Sequence, residues 1–287
     1  MPELPEVETV RRGLQRTIVG RTIASFDCDT RKMLNQPLPF YRQTLPGLKV
    51  VSVDRRAKML IIKLTGGWNI LAHLKMTGQL VFCGDRCSVV GGHPIKAGYE
   101  QDPNRFTHGT FTFRDKSRLY FNDVRKFGWL RLFSDADLSK QLDHDLGPEP
   151  LDHNFTLDVF RRELGKRPNN RIKQFLMDNK NVVGIGNIYS DEICYFARVR
   201  PDRRVKNLKD GEIALLFRGI KNILTEAIKY EGTSISDYVN AAGEAGAYTK
   251  FLKVYGRYGE QCFKCKGTIK RQKIGGRTSS FCLGCQK

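Results

Sequence analysis

Leu4, Val7, Val10 and Leu14 recur at helical spacing, which predicts an amphipathic helix at the start of the chain. Pro5 suits the first helical position, and Glu6 and Glu8 suit the first turn, where acids complement the helix dipole. From about residue 20 to 135 the period shortens. Lys49–Val53, Met59–Leu64, Trp68–Lys75, Gln79–Phe82, Phe106–Phe113 and Arg118–Phe121 are short β-branched or apolar runs. Thr65-Gly66-Gly67 and Asp115-Lys116-Ser117 read as turns between neighbouring strands. Without helices between them, these strands predict an antiparallel sandwich rather than a parallel sheet. The polar, Gly-rich stretch Cys83–Asn104 reads as an inserted loop.

Past Gly147-Pro148-Glu149-Pro150 the pattern becomes helical. Thr156 is placed to cap Leu157–Leu164, Arg171–Asp178 and Asn187–Ala197 follow, and Asp210 is placed to cap a long helix. Its apolar face carries Ile213, Leu216, Phe217, Ile220, Leu224 and Ile228. A Gly/Ala-rich loop spans roughly 232–247, and two last strands flank Gly275-Gly276. The predicted organisation is a β domain over 1–135, a linker over 136–152, a helical domain over 153–247 and a terminal module over 248–287.

Composition narrows the function. The chain has 287 residues, 40% of them hydrophobic, long enough for a sizeable core and two domains. No stretch approaches the roughly 20 apolar residues of a membrane span, so no membrane partner is expected. The acidic amphipathic start resembles neither a secretory nor a transit signal, which predicts a cytoplasmic protein, nuclear if the cell has a nucleus. Lys+Arg exceed Asp+Glu by 49 − 30 = 19, a charge that suits a polyanion, nucleic acid first. Ten of the basic residues, against the single acid Glu260, lie between Lys250 and Lys287.

Four of the eight cysteines form Cys262-x2-Cys265-x16-Cys282-x2-Cys285, the spacing of a tetrahedral four-thiolate zinc site. Such a site has no open coordination position. One structural Zn2+ is therefore predicted, holding a hairpin that presents Arg277 and nearby lysines to phosphates. Cys83-x3-Cys87 with His93 and His108 is a looser alternative for a second metal, and Cys28 and Cys194 read as inert core residues.

Pro2 and Glu3 carry two readings. They are an ordinary helix start, or, once Met1 is removed, a secondary amine beside a carboxyl group. An α-amino group has a pKa of about 7.7–8.0, so near pH 7 it is a neutral nucleophile far more often than a lysine is. Its adduct with an aldehyde-level carbon is an iminium with no N–H left to lose. Elsewhere, Asn179-x4-Gly184-Ile185-Gly186-Asn187 suits phosphate at a helix start, and Lys58, after Arg55-Arg56-Ala57, adjoins an apolar strand. Met76 and Asp123-Val124-Arg125-Lys126-Phe127-Gly128 offer apolar wedges and an arginine, groups suited to filling a gap in stacked bases.

Together these residues closely resemble the formamidopyrimidine-DNA glycosylase family, within the wider group that includes endonuclease VIII. The match runs through Met1-Pro2-Glu3-Leu4-Pro5-Glu6, Arg55-Arg56-Ala57-Lys58, Met76, Arg125-x-Phe127-Gly128, Leu146-Gly147-Pro148-Glu149-Pro150, Gly184-Ile185-Gly186-Asn187 and the four cysteines. The resemblance implies an α+β protein: an N-terminal antiparallel β-sandwich with a flanking helix, a helix–two-turn–helix domain, and a β-hairpin zinc finger. It implies a monomer that excises oxidised purines from double-stranded damaged DNA and cleaves the strand by β,δ-elimination. Pro2 would be the nucleophile, Glu3 the proton shuttle, Lys58 the proton donor for β-elimination, and Arg277 the residue assigned to δ-elimination. A guanidinium keeps its proton, so Arg277 suits a phosphate clamp better than a base. The implied DNA contacts are Met76, His108, Arg125, Phe127, Lys173 and Asn187. The rival from another class is a basic zinc protein that recognises damaged or branched DNA without cutting it. Such a protein needs no proline beside a glutamate.

Overall fold

The structure, a computed structural model, describes residues 1–84, 87–92, 102–143, 146–233 and 247–287. The chain divides into two compact units, Met1–His144 with Glu231–Ala247, and Asp145–Tyr230 with Tyr248–Lys287. Residues 231–247 thus group with the β unit, although in the sequence they continue the helical segment.

In the first unit, helix α1 (Leu4–Thr17) precedes strand β1 (Ile23–Cys28), helix α2 (Leu38–Thr44) and strands β2 (Val50–Arg56), β3 (Met59–Leu64), β4 (Trp68–His73), β5 (Gly78–Cys83) and β6 (Cys87–Gly92). Strands β7 (Thr107–Phe113), β8 (Arg118–Asp123) and β9 (Trp129–Ser134) and helix α3 (Asp135–Asp143) complete it. Two antiparallel sheets form, in the orders β1-β7-β8-β5-β6 and β2-β3-β4-β9. Alternate residues of both sheets, including Phe26, Leu80, Phe111 and Phe121 with Val53, Leu60, Ile62, Ile70 and Leu130, share one core with Val7, Val10 and Leu14 of α1. Helix α1 also satisfies the free edge of β2. Arg11 Nη1 donates to the Val53 carbonyl at 3.2 Å, and the Val53 N–H donates to Gln15 Oε1 at 2.9 Å.

Three sequence expectations change here. Part of the Cys83–Asn104 loop is strand β6, paired with β5 so that Cys83 lies opposite Cys87. Cys83 is disulfide-bonded and so has no thiolate for a second metal; His93 lies outside the described residues. The stretch read as linker begins with α3, whose Leu138 is buried against Ile61 and Leu71.

In the second unit, helices α4 (Leu157–Gly165), α5 (Ile172–Met177), α6 (Asn187–Phe196) and α7 (Asp210–Lys229) precede the hairpin β10 (Ile269–Ile274) and β11 (Arg277–Cys282). The Thr156 side chain caps α4 by accepting from the Val159 N–H at 3.3 Å. At α7 the cap is Lys209, not Asp210, and the Glu212 carboxylate reaches back to the Lys209 N–H at 2.7 Å. Phe155, Phe160, Phe175 and Phe217 form a chain of ring contacts with centroids 5.5–6.3 Å apart, locking α4, α5 and α7 together. Among the described residues, no helix is long and apolar enough to cross a membrane.

Candidate active site

Pro2 is half-buried at the head of α1, and Glu3, the residue before the first helical turn, is buried. The turn is set by Glu6, itself buried, rather than by the helix dipole alone. Glu6 Oε2 accepts the Glu3 N–H at 2.8 Å. Glu6 Oε1 accepts the Thr233 N–H at 2.8 Å and its hydroxyl at 3.1 Å. One carboxylate therefore fixes the Pro2-Glu3 backbone and anchors the chain at Thr233. A side chain at Gly232 would strike Glu6 at 2.7 Å.

Lys58 is buried immediately after Ala57, which takes a left-handed φ of 55° in the β2–β3 turn. Arg55 braces that turn by donating to the Ala57 carbonyl at 2.8 Å, and Glu8 of α1 lies 3.4 Å from Arg55. Burial disfavours a charged Glu8, but Arg11, Arg12 and Arg55 outweigh it and hold the carboxyl below the usual range. Lys58 is close enough for its charge to be felt at His73. Burial, then Lys75 and Lys58, push that imidazole down to about 3.

Met76, Arg125 and Phe127 are brought together. Arg125 Nη1 lies 3.4 Å from the Met76 sulfur, and its guanidinium stacks 4.5 Å from the Phe127 ring centre. Met76 and Phe127 are nonetheless 42% and 49% exposed, so two apolar side chains and a cation stand clear of the β unit.

In the second unit, the turn before α6 is held by Gly184, at φ 84°, whose N–H donates to Asn179 Oδ1 at 3.0 Å. Asn187 opens α6. Its Nδ2 lies 3.5 Å from the Tyr255 hydroxyl, and its buried Oδ1 has no partner among the described residues. Arg277 is exposed at the start of β11, beside the left-handed Gly275 and Gly276.

Two expected DNA contacts lie in the interior. Lys173 is fully buried, with Nζ 2.7 Å from Asp191 Oδ1 and 3.2 Å from the Thr278 carbonyl. Asp191 also accepts from Ser279 Oγ at 2.5 Å and the Ser280 N–H at 2.8 Å. An ammonium committed to that carboxylate clamps β11 to α5 and α6. His108 is likewise buried, with Nδ1 2.9 Å from Asp29 Oδ1. Nδ1 tethers the ring to Asp29, and the buried Nε2 has no partner among the described residues.

The four Sγ atoms of Cys262, Cys265, Cys282 and Cys285 lie within 4.8 Å of one another, with Cys262–Cys285 at 3.8 Å and Cys265–Cys282 at 3.3 Å. Metal–sulfur bonds of about 2.3 Å in a tetrahedron put sulfurs about 3.8 Å apart, so the set fits one metal ion. Gly284 is required there, because a Cβ would sit 2.9 Å from Cys265 Sγ.

The sequence did not single out Thr77 or Asp191, and gave Glu6 and Asp123 no role as hubs. Each is an acid or hydroxyl in a turn or on a helix, where solvated residues are common. Only burial separates them from that background.

Comparison with known proteins places the whole chain beside one family of glycosylases. The formamidopyrimidine-DNA glycosylase N-terminal domain family matches residues 1–130, and the H2TH domain of the same glycosylases matches residues 146–239. A formamidopyrimidine-DNA glycosylase of Pelotomaculum thermopropionicum is 40% identical across 100% of this chain and 99% of its own. One from Listeria monocytogenes is 38% identical, with both chains covered in full. Lactococcus lactis Fpg in complex with abasic-site DNA superposes with a TM-score of 0.87 at 33% identity, covering 99% of each chain. A variant of that enzyme bound to Fapy-dG DNA gives 0.88 at 34% identity over both full chains.

Proposed function

The chain belongs to the formamidopyrimidine-DNA glycosylase family, and from that premise we propose that it removes oxidised purines from duplex DNA and then cuts the strand. The observation that carries this is the head of α1. A half-buried Pro2 stands beside a buried Glu3, whose backbone is tied down by Glu6. The tie itself is a capping box like that of α7, but burial of Glu3 and the second hold of Glu6 on Thr233 go beyond an ordinary helix start.

With Met1 attached, the Pro2 nitrogen is an amide and cannot attack. After Met1 is removed, the amine lone pair adds to C1′ of the damaged nucleotide. The glycosidic electron pair leaves with the base, which takes up a proton. The nitrogen then gives up its only proton, its lone pair opens the C1′–O4′ bond to form the iminium, and O4′ leaves as a hydroxyl by taking up that proton, with the adjacent Glu3 as the carboxyl to carry it. The cation acidifies C2′–H, and loss of that proton expels the 3′ phosphate. A second elimination expels the 5′ phosphate, and water then frees the amine. Lys58 fits the acid that assists a departing phosphate, since a buried ammonium beside the turn can give up a proton. Met76 and Phe127 fill the gap left by the extruded base while Arg125 faces its former partner. Asn187 and Arg277 hold phosphates, and the unpaired Asn187 Oδ1 suits a bridging water. The four thiolates suit one Zn2+, which would keep the finger folded and take no part in the chemistry.

Borohydride reduction during turnover should yield a covalent protein–DNA adduct, and a Pro2→Gly variant or protein retaining Met1 should yield none. An equal adduct from those forms would remove Pro2 from the reaction. Cleaved strand from lesion-bearing duplex separates this reading from a non-cutting binder.

A further inference from the structure

Asp123, at the end of β8, is completely buried, and among the described residues none of the hydrogen bonds to its carboxylate comes from a cationic group. Oδ1 accepts from the Thr77 hydroxyl and from the Arg125 N–H at 3.1 Å, and Oδ2 accepts the Gly128 N–H at 2.6 Å. Its backbone carbonyl accepts the Lys126 N–H at 3.3 Å. The Arg125 N–H also reaches Thr77 Oγ1 at 3.1 Å. Thr77 follows Met76, and Gly128 follows Phe127. One carboxylate therefore gathers both loops that bear Met76, Arg125 and Phe127.

The loops are held under strain. Lys75, before Met76, and Lys126, between Arg125 and Phe127, take left-handed φ values of 52° and 55°. Such conformations persist in non-glycine residues only where surrounding contacts over-determine them. The packing leaves no slack either. A Cβ on Gly128 would meet Phe121 Cζ at 2.6 Å and Asp123 Oδ2 at 3.0 Å. Burial of an acceptor on N–H donors, strained neighbours and an exposed wedge are what a rigid tool requires.

We infer that Asp123, through Thr77 and the Arg125 and Gly128 amides, is the positioning residue that presets the Met76–Arg125–Phe127 wedge for insertion into the duplex. The inference rests on the void-filling role proposed above. Asparagine cannot replace it. All three partners donate, and an amide carries one acceptor oxygen, so in either orientation its NH2 group confronts a backbone N–H. A flexible wedge must be ordered during base extrusion, which costs rate on duplex. A substrate with no stack to open needs no wedge.

The test compares Asp123→Asn with the parent enzyme on two substrates. On a lesion-bearing duplex, single-turnover excision should fall at least about tenfold. The fluorescence rise of a 2-aminopurine beside the lesion, which reports unstacking, should slow with it. On a single-stranded oligonucleotide with a preformed abasic site, borohydride trapping should stay within about threefold of the parent. Equal losses on both substrates, or parent-like duplex excision and unstacking, overturn the inference. Should Asp123→Asn not fold, Thr77→Val and Thr77→Ser decide. Valine should reproduce the duplex-only loss, and serine, which keeps the hydroxyl, should restore the rate. If valine and serine behave alike, the inference fails. Parent enzyme that traps on neither substrate sinks the catalytic reading instead.

Discussion

Replacing Lys173 by methionine removes the cation from a wholly buried pair and leaves Asp191 with two serine contacts. In the native protein that carboxylate has Lys173 Nζ at 2.7 Å, Ser279 Oγ at 2.5 Å and the Ser280 N–H at 2.8 Å. Breaking a buried pair from one side costs about 3–5 kcal/mol, because the surviving charge is uncompensated. With a urea dependence of about 2 kcal/mol per M, the midpoint of the helical unit should fall by about 1.5–2.5 M, read by far-ultraviolet circular dichroism. Lys173→Met combined with Asp191→Leu removes both charges and should recover much of the loss. The sign of the pH dependence is also fixed. Burial already pushes the Asp191 carboxyl up, with Lys173, Ser279 and Ser280 pulling it down. Without Lys173 it rises further, so the folded variant takes up a proton before the unfolded chain does. The penalty must therefore shrink as pH falls below the raised folded pKa towards about 3.9. Since the pair also holds the Thr278 carbonyl, phosphate contact through Arg277 should weaken in parallel. A midpoint shift below about 0.5 M, a double variant no better than the single, or a penalty that grows in acid refutes the reasoning.

Glu6→Gln must turn an NH2 group toward either the Glu3 or the Thr233 N–H; about 1–3 kcal/mol of stability and much of the borohydride-trapped adduct should be lost, and parent-like trapping would show that the tie does not serve catalysis. His73 is neutral when folded, with its pKa at about 3, whereas in the unfolded chain it takes a proton below about 6.5. The unfolded state binds the extra proton, so stability is present above about pH 6.5 and declines from there towards about pH 3. His73→Gln should flatten that decline in thermal midpoint, and an unchanged slope counts against the assignment. Chelation should release one zinc per chain by colorimetric titration and abolish duplex binding, while the β unit keeps its own unfolding transition; retained binding in zinc-free protein would separate the finger from the DNA.

The sequence by itself determined most element types and the family. Period-two runs such as Met59–Leu64, the apolar face of α7 and the Thr156 cap are local signals, because side-chain direction follows directly from backbone period. Cys262, Cys265, Cys282 and Cys285 were legible because knuckle spacing fixes sulfur positions within a few residues. The roles proposed for Pro2 and Glu3 come only from the family pattern, since their local reading is an ordinary helix start. Tertiary structure alone decided which charges stay exposed and which are fasteners. Lys173 and His108 carry groups suited to phosphate, yet burial against Asp191 and Asp29 commits them inward. Conversely, Asp123 and Glu6 look like solvated acids in the sequence, and become hubs because their N–H partners arrive from Gly128 and Thr233. The strength of a charge depends on how far water is excluded from it, and that exclusion is set by segments distant in sequence, which no local pattern encodes.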